Sequence, residues 1–600
     1  GKTDWVGVDD GTRAMPTNIK DALLSGRRLN ENQPPGFTNG FSAQDLQTFG
    51  RSLKNIYNVS DGGAFVPPGA SISAGNSWKF QNIQLGTSGS LSLNTSGDTG
   101  EKVFQKFNVG SGSSLVLDET GNTNFTETER NIGGTFNFGL KIGQNNEIII
   151  GKMLLRNSTD SVYVKDYKST GDSVDRRRKT TLEWVERQLD FNQIHGKHKF
   201  SFLDWTYRFG ISSSKREAPD CRNYTYLKRN DVYELNLDAT GNQRNFSDLD
   251  DKSKQIGTDL TFSLPIDLKL TVGVDNVDRE RKSEVYRLHF RNNFPSNAHP
   301  DLTKDPEAIF TASNINNNGF VLTNLTESAD SYSSDQNIFS YFGQAQYELG
   351  KHFTLLGGLR KENFKQEVKT FYYFDPGKPT SLAGLKNSDL LPSYSLTWKP
   401  TDSLRARLAF SETLSRPDAR ELSTVPFIDD ESGYETVGNN ALKTTQIQNF
   451  DHRWEYYFTN EEFLSTGFFL KKFKDPVEEI FEPGPNLRKT YANADSATNM
   501  GWEFEGRYGL RRVSRILRRF TLISNLSLIK SSVELDNDVK GVLTTNKRPL
   551  QGQSPYVFNL QLQFDRPQWK LQTTLLYNVI GQRITEVGTS QRPDIYEQPF

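Results

Sequence analysis

Residues Arg548–Ile584, RPLQGQSPYVFNLQLQFDRPQWKLQTTLLYNVIGQRI, carry the plan that the rest of the chain repeats. Phe558, Leu560, Leu562 and Phe564 alternate with Asn559, Gln561, Gln563 and Asp565, so an extended strand here has one apolar and one polar face. Arg566-Pro567-Gln568 reverses the chain, with Trp569 at the turn end. Leu571, Thr573, Leu575 and Tyr577 then oppose Lys570, Gln572 and Thr574. The result is a β-hairpin with one oily wall.

Working outward, the same device recurs from Ser71 onward. Ile72, Ala74, Trp78 and Phe80 run to a turn at Gln81-Asn82, and Leu85, Leu91 and Leu93 run back between serines. Gly134 to Ile142 reverses at Gly143 to Asn146. Leu203, Trp205, Tyr207, Phe209 and Ile211 follow an expected turn at His195-Gly196-Lys197-His198. Further short turns are expected at Pro265 to Asp267, Gly350-Lys351, Lys399 to Ser403, Thr459 to Glu461 and Arg512 to Arg515. Between them lie long polar connections at Lys215 to Lys252, Arg291 to Asp335, Tyr373 to Ser388 and Arg416 to Lys443. Alternating short and long connections between amphipathic strands is the grammar of an all-β transmembrane antiparallel β-barrel. About eighteen strands are expected between Ser71 and Ile584, enough to enclose a wide lumen.

Composition agrees. A hydrophobic fraction of 34% and a mean hydropathy of -0.65 are low for a conventional core, while aromatics reach 12%. A wall with lipid on one side and water on the other needs only alternate residues apolar, and a disordered chain would lack the aromatics. The net charge of -1 argues against a nucleic-acid partner. The one cysteine, Cys221, excludes a disulfide framework, and no apolar run is long enough for a transmembrane helix. No linker or composition shift divides the chain, so residues 1–600 read as one barrel domain. Within it, 1–69 are loop-rich with a short helix around Ile19 to Leu24, 70–586 hold the strands, and 587–600 lead toward closing strands.

Several motifs then carry a resemblance. Leu391-Pro392-Ser393 with Leu404 to Glu421, LRARLAFSETLSRPDARE, resembles the strand pair of TonB-dependent outer-membrane receptors that ends in a Ser-Arg-Pro loop. Gly438-Asn439-Asn440-Ala441-Leu442-Lys443-Thr444 is similar to that family's Gly-Asn-Pro-x-Leu-Lys-Pro segment, with Asn440 and Thr444 where proline is common. Asn493-Ala494-Asp495 with Gly501-Trp502-Glu503-Phe504-Glu505 resembles its Gly-x-Glu-x-Glu pattern. Leu356 to Arg360, Gln551 to Pro555 and Tyr577-Asn578 add to the match. Asp4 to Arg13 and Lys215 to Arg222 are similar to a Bacteroidetes-like branch.

The resemblance implies a barrel of roughly 22 strands, an N-terminal plug inside it, and a TonB box coupling it to TonB-ExbB-ExbD. Neither the plug nor the box is recognised here, so the chain is expected to be part of a longer protein, with about one strand before and three after. Outer-membrane lipid and lipopolysaccharide are the expected surroundings, short turns periplasmic and long loops extracellular. A surface lipoprotein is a further partner by resemblance. The expected function is TonB-dependent transport of a scarce or bulky nutrient, a small molecule, glycan or peptide, held by extracellular loops and plug. The alternative is a receptor-like barrel, its plug lost or idle, serving as a structural subunit of an outer-membrane complex. A soluble all-β adhesin or enzyme is the third reading, and it would bury the oily walls against each other.

Candidate chemistry is sparse. His195 and His198 could share a metal, but a solvated turn is the plainer reading. Asp248, Asp250 and Asp251 lack the glycine and distal glutamate of a calcium loop. Gly110-Ser111-Gly112 is no phosphate cradle. Arg176, Arg177, Arg178 and Lys179 on an expected extracellular loop suit polyanion contact, and Arg511, Arg512, Arg515, Arg518 and Arg519 surround a short turn facing lipid phosphates. No nucleophile with an ordered partner emerges, so no catalytic, cofactor or metal residue is assigned, and the substrate-binding residues are unknown.

Overall fold

The computed structural model describes residues 2–600 except 28, 31–39, 60–68, 110–113, 171–173, 296–297, 327–329, 373–374, 429–434, 483–487, 536–546 and 589–593. Gly110 to Gly112 therefore lie outside the described residues.

Among the described residues, eighteen long strands make the wall. The first six are β1 Ala70–Phe80, β2 Ile83–Val109, β3 Leu115–Ile142, β4 Asn146–Ser169, β5 Arg176–Lys199 and β6 Leu203–Arg229. The next six are β7 Asn242–Leu264, β8 Leu268–Asn292, β9 Tyr332–Leu349, β10 Phe353–Tyr372, β11 Asp375–Thr401 and β12 Leu404–Ser415. The last are β13 Thr445–Tyr457, β14 Phe463–Lys474, β15 Ser496–Gly509, β16 Phe520–Glu534, β17 Tyr556–Arg566 and β18 Leu571–Ile580. Each pairs antiparallel with its neighbour in sequence, from β1 against β2 to β17 against β18. The expected number of strands is met. Short strands at Val232–Leu235, Phe320–Asn324 and Lys547–Arg548 add rungs to the same sheet at its long-loop end.

The tight turns fall where turn chemistry puts them. Gln81, Gly143, Asp267, Gly350 and Lys570 all have positive φ, the conformation that reverses a chain within two to four residues. One turn is displaced from its expected place. His195 to His198 stay in β5, paired with Arg208 to Trp205, and the reversal comes at Phe200 to Phe202, closed by the Phe200 amide donating to the Leu203 carbonyl at 2.7 Å.

Two of the long connections also prove to be strand. Lys215 to Lys252 is largely the upper part of β6 and β7, and Tyr373 to Ser388 is largely β11. Arg291 to Asp335 and Arg416 to Lys443 do contain irregular loops, with helical turns at Pro306–Ile309 and Ala419–Leu422. Strands that carry polar residues on both faces show no period-two contrast in sequence, yet their backbone ladder runs on through them, interrupted by bulges at Ala218 to Cys221 and Thr370 to Tyr372.

Register separates two faces. Trp205, Phe209 and Ile211 on β6 stand with Leu260 and Ile256 on β7 and with Val272 and Val274 on β8. These side chains point away from the rest of the protein; Ile256 is 59% and Val272 49% exposed. This is the outward face. It is oily only near the short turns: beyond Ile211, Ile256 and Val274 the same rows continue as Ser213, Lys254 and Asn276. The apolar band is thus about the 9–11 residues a strand needs to cross a bilayer. Strands β2 to β8 run 23 to 28 residues, so more than half of each rises beyond that band.

The upper storey has its own core, built with the N-terminal segment. Helix α1, Thr17–Leu24, confirms the helix expected there; α2, Ala43–Ser52, was not anticipated although Ser42 and Asp45 form a capping box at its start. Ile19, Leu23, Leu46 and Phe49 pack on Phe246, Leu288, Phe290 and Phe320. Phe246 and Leu288 lie in the same rows as Ile256 and Val272, so the segment covers the continuation of the outward face above the oily band. An ionic buckle fixes it. Asp220, at a β-bulge with φ 54°, takes Arg222 at 2.5 Å and Arg244 at 2.7 Å, both buried. Those two guanidiniums also donate to the Ile56 and Lys54 carbonyls and flank the buried Tyr57 ring.

Candidate functional site

The inner face of the wall is the candidate site. On β16, β17 and β18 the polar wall of the opening hairpin forms a row in which the Asn559 amide donates to Asn525 at 2.6 Å and Asn578 donates to Asn559. These residues alternate with the outward Leu526, Phe558 and Tyr577, so the wet wall faces inward as its pattern requires.

Across β6 to β10 the inner face carries linked ion pairs. Arg208 bridges Asp259 at 2.6 Å and Asp275 at 2.5 Å; Arg360 lies 3.8 Å from Asp275 and 2.8 Å from Glu362. Arg416, just past β12, closes the chain on Glu362 at 2.5 Å. Glycine makes the close approach possible. A Cβ on Gly257 would collide with the Asp275 carboxylate and the Arg208 guanidinium, and one on Gly273 with Asp259 and Phe342. A second group joins β12 to β15, where Arg453 contacts Glu505 at 2.7 Å and Glu455 at 3.1 Å, and Arg407 reaches Glu455 at 3.3 Å.

Higher up, Asp251 receives Arg279 and Arg281, each at 2.7 Å, and Arg281 reaches on to Asp418 at 2.8 Å. Burial alone would raise the Asp251 carboxyl, but its hydrogen bonds to Arg279 and Arg281 outweigh that and hold it below the ordinary value of 3.8. Asp418 caps the helical turn Ala419–Leu422 through a capping box with Glu421. Ala419, Leu422, Val425 and Leu442 then pack on Tyr332 and Val368, which share the inner face with Ser340 and Glu362. The loop after β12 is therefore folded against the inside of the wall by two arginine bridges and an apolar patch.

A groove of about 500 Å³ lies beside these pairs, over β2 to β7. Ser92, Asn131, Asn157, Arg187 and Ser214 line it, and Arg187 donates to Asn157 at 3.2 Å. Amides, hydroxyls and guanidiniums beside Leu155, Leu189 and Leu249 suit binding of a solute that carries polar groups.

The candidates weighed from sequence disperse. Residues three apart on a strand face opposite ways, so His195 and His198 do not converge; His198 instead bonds Asn146 at 2.8 Å and stacks by Trp205 and Tyr207. Asp248, Asp250 and Asp251 sit in β7 rather than in a loop, and Asp251 faces away from the other two. Among the described residues no group of three metal-ligating side chains forms. The Arg176 to Lys179 run opens β5 instead of lying in a loop, and Arg176 and Arg178 both pair with Asp166. Cys221 is buried. The inner ion pairs were missed, although Arg208, set between Tyr207 and Phe209 within a strand pattern, is a charge whose signal was available in the sequence.

The family model described as "TonB dependent receptor-like, beta-barrel" matches residues 153–599. None of the curated proteins compared with the chain matches it. Among solved structures, the chain is similar to the ferric yersiniabactin uptake receptor FyuA of Yersinia pestis, with TM-score 0.52, 13% identity, and 89% of this chain and 70% of that one covered. It is similar to the ferric enterobactin receptor PfeA of Pseudomonas aeruginosa, with TM-score 0.52, 12% identity and coverages of 89% and 69%. The FrpB iron transporter of Neisseria meningitidis gives TM-score 0.50, 12% identity and coverages of 96% and 79%. At these identities the likeness is one of fold.

Proposed function

This chain belongs to the TonB-dependent receptor β-barrel family, and from that premise we propose that it forms the wall of an active transporter for a scarce or bulky polar nutrient. Members of the family reside in the outer membrane of Gram-negative cells, and the oily outward band suits that setting. The observation that carries the transport reading is the inner wall: linked ion pairs from Arg208 to Arg416, with the loop after β12 latched onto them through Glu362 and Asp418. A latch made of ion pairs in a water-filled lumen is cheap to exchange, so a solute bearing hydroxyls, amides or anionic groups competes with it directly. In this reading the short turns face the periplasm, the long strands and loops face outward from the cell, and TonB supplies the energy through a plug inside the lumen. The mechanism is differential binding and gated release, with no bond made or broken.

The test follows depletion of small molecules and metal complexes from defined medium by cells carrying the full-length protein, its deletion, and a TonB deletion. Saturable depletion of at least one solute that needs both the protein and TonB supports the proposal. Depletion that persists without TonB overturns it.

A further inference from the structure

The turn joining β15 to β16, Leu510–Arg519, reads LRRVSRILRR: five arginines and no acid. Arg511, Arg512, Arg515 and Arg518 are exposed. Arg512 is held by Glu462 at 2.8 Å, while among the described residues Arg511, Arg515, Arg518 and Arg519 make no ion pair. The adjoining turn adds Arg566, whose guanidinium lies 3.0 Å from the centroid of the exposed Trp569 ring and feels the charges of Arg518 and Arg519. Asp565, beside Arg566, is exposed, and its amide is tied to the Arg519 carbonyl at 3.0 Å. Like charges are thus crowded together with too few carboxylates to balance them.

Two aliphatic side chains stand among them in water: Ile516 is 88% and Val513 67% exposed. The patch adjoins the oily band, because the outward Phe520 and Phe564 rings, 5.0 Å apart, begin the next strand pair. Guanidiniums beside exposed aliphatics at the edge of an apolar band match one chemistry, a phosphate ester carrying acyl chains.

We propose that Leu510–Arg519, with Arg566, is a binding site for anionic glycerophospholipid, its arginines on the headgroup phosphate and Val513 and Ile516 among the acyl chains. This rests on the reading above that short turns face the periplasmic, phospholipid leaflet. The site recruits anionic lipid around one sector of the barrel, and each arginine raises the local preference by a factor of about five.

The test reconstitutes the full-length protein in nanodiscs of phosphatidylethanolamine with equal minor fractions of phosphatidylglycerol and lipid A, then weighs the lipid retained on re-extraction. The wild type is expected to retain phosphatidylglycerol preferentially, the R511Q/R515Q/R518Q/R519Q variant to lose that preference, and the corresponding four-lysine variant to keep part of it. Heat-modifiable migration shows that each variant is folded; should the glutamine variant fail to fold, the wild-type preference and its reduction by lysine carry the test. Equal retention in wild type and glutamine variant overturns the site. Preference for lipid A over phosphatidylglycerol, lost in the variant, overturns the leaflet assignment while leaving phosphate recognition intact. Capture of an acidic protein with no lipid preference overturns the lipid as partner.

Discussion

The wall has two storeys made from the same strands, and they are held by opposite means. Next to the short turns, the outward rows of β6, β7 and β8 are Trp205, Phe209, Ile256 and Val272, left exposed for lipid. Further along the same rows come Arg244, Phe246 and Leu288, covered by the N-terminal helices and tied by Asp220. One face of one strand thus meets lipid at one end and protein at the other. Continuous hydrogen bonding lets a strand pass between the two environments, and the side chains alone mark the boundary.

Breaking the upper storey has the largest expected effect. Asp220→Ala leaves Arg222 and Arg244 buried without a counter-charge, a loss of about 3–5 kcal/mol. Hydrogen exchange of residues 41–57 should accelerate by several orders of magnitude while the strands next to the short turns stay protected. Equal loosening of both storeys would join what is here separated.

In the lower storey, Val272→Arg places a charge in the oily band at a cost of about 2–4 kcal/mol, measured by urea titration of folding into vesicles. Lys252→Leu, on an outward row above the band, should change stability by less than about 0.5 kcal/mol. Comparable effects at both positions would erase the boundary.

Inside the wall, Gly257→Val drives a side chain into the Arg208 and Asp275 pair, with an expected cost of about 1–3 kcal/mol. The smallest effect concerns pH. Asp251 has a depressed carboxyl, so the stability it contributes is present above its ordinary value of 3.8 and is lost as pH falls below that value through its folded pKa. Acid should loosen the Asp418 loop in that window, and Asp251→Asn should remove this pH dependence as read by proteolysis within 416–428.

Much of the lower storey was legible in sequence, because hairpins are local and lipid demands strict alternation: Phe558 to Phe564 and Leu571 to Tyr577 pair as their pattern says. The upper storey was not. Once both faces meet water or protein, alternation no longer distinguishes strand from loop, and Lys215 to Lys252 read as a connection although it is mostly ladder. The N-terminal core depends on contacts between residues as far apart as Phe49 and Phe290, which no local pattern encodes. The inner ion pairs fall between these cases, since their charges were visible but their partners lie on other strands. His195 and His198 show the converse: they read as a solvated turn, and instead they lie within β5, where the strand's alternation separates them.

The boundary itself is measured most directly by nitroxide accessibility in a Cys221→Ser background, with labels placed singly at Phe209, Ile256, Val274, Ser213 and Lys252 of the full-length protein in bilayers. The account predicts that the first three collide with oxygen dissolved in lipid and are shielded from a water-soluble nickel relaxant, while the last two show the reverse. Labels at Ser213 and Lys252 as lipid-exposed as the one at Ile256 would contradict it.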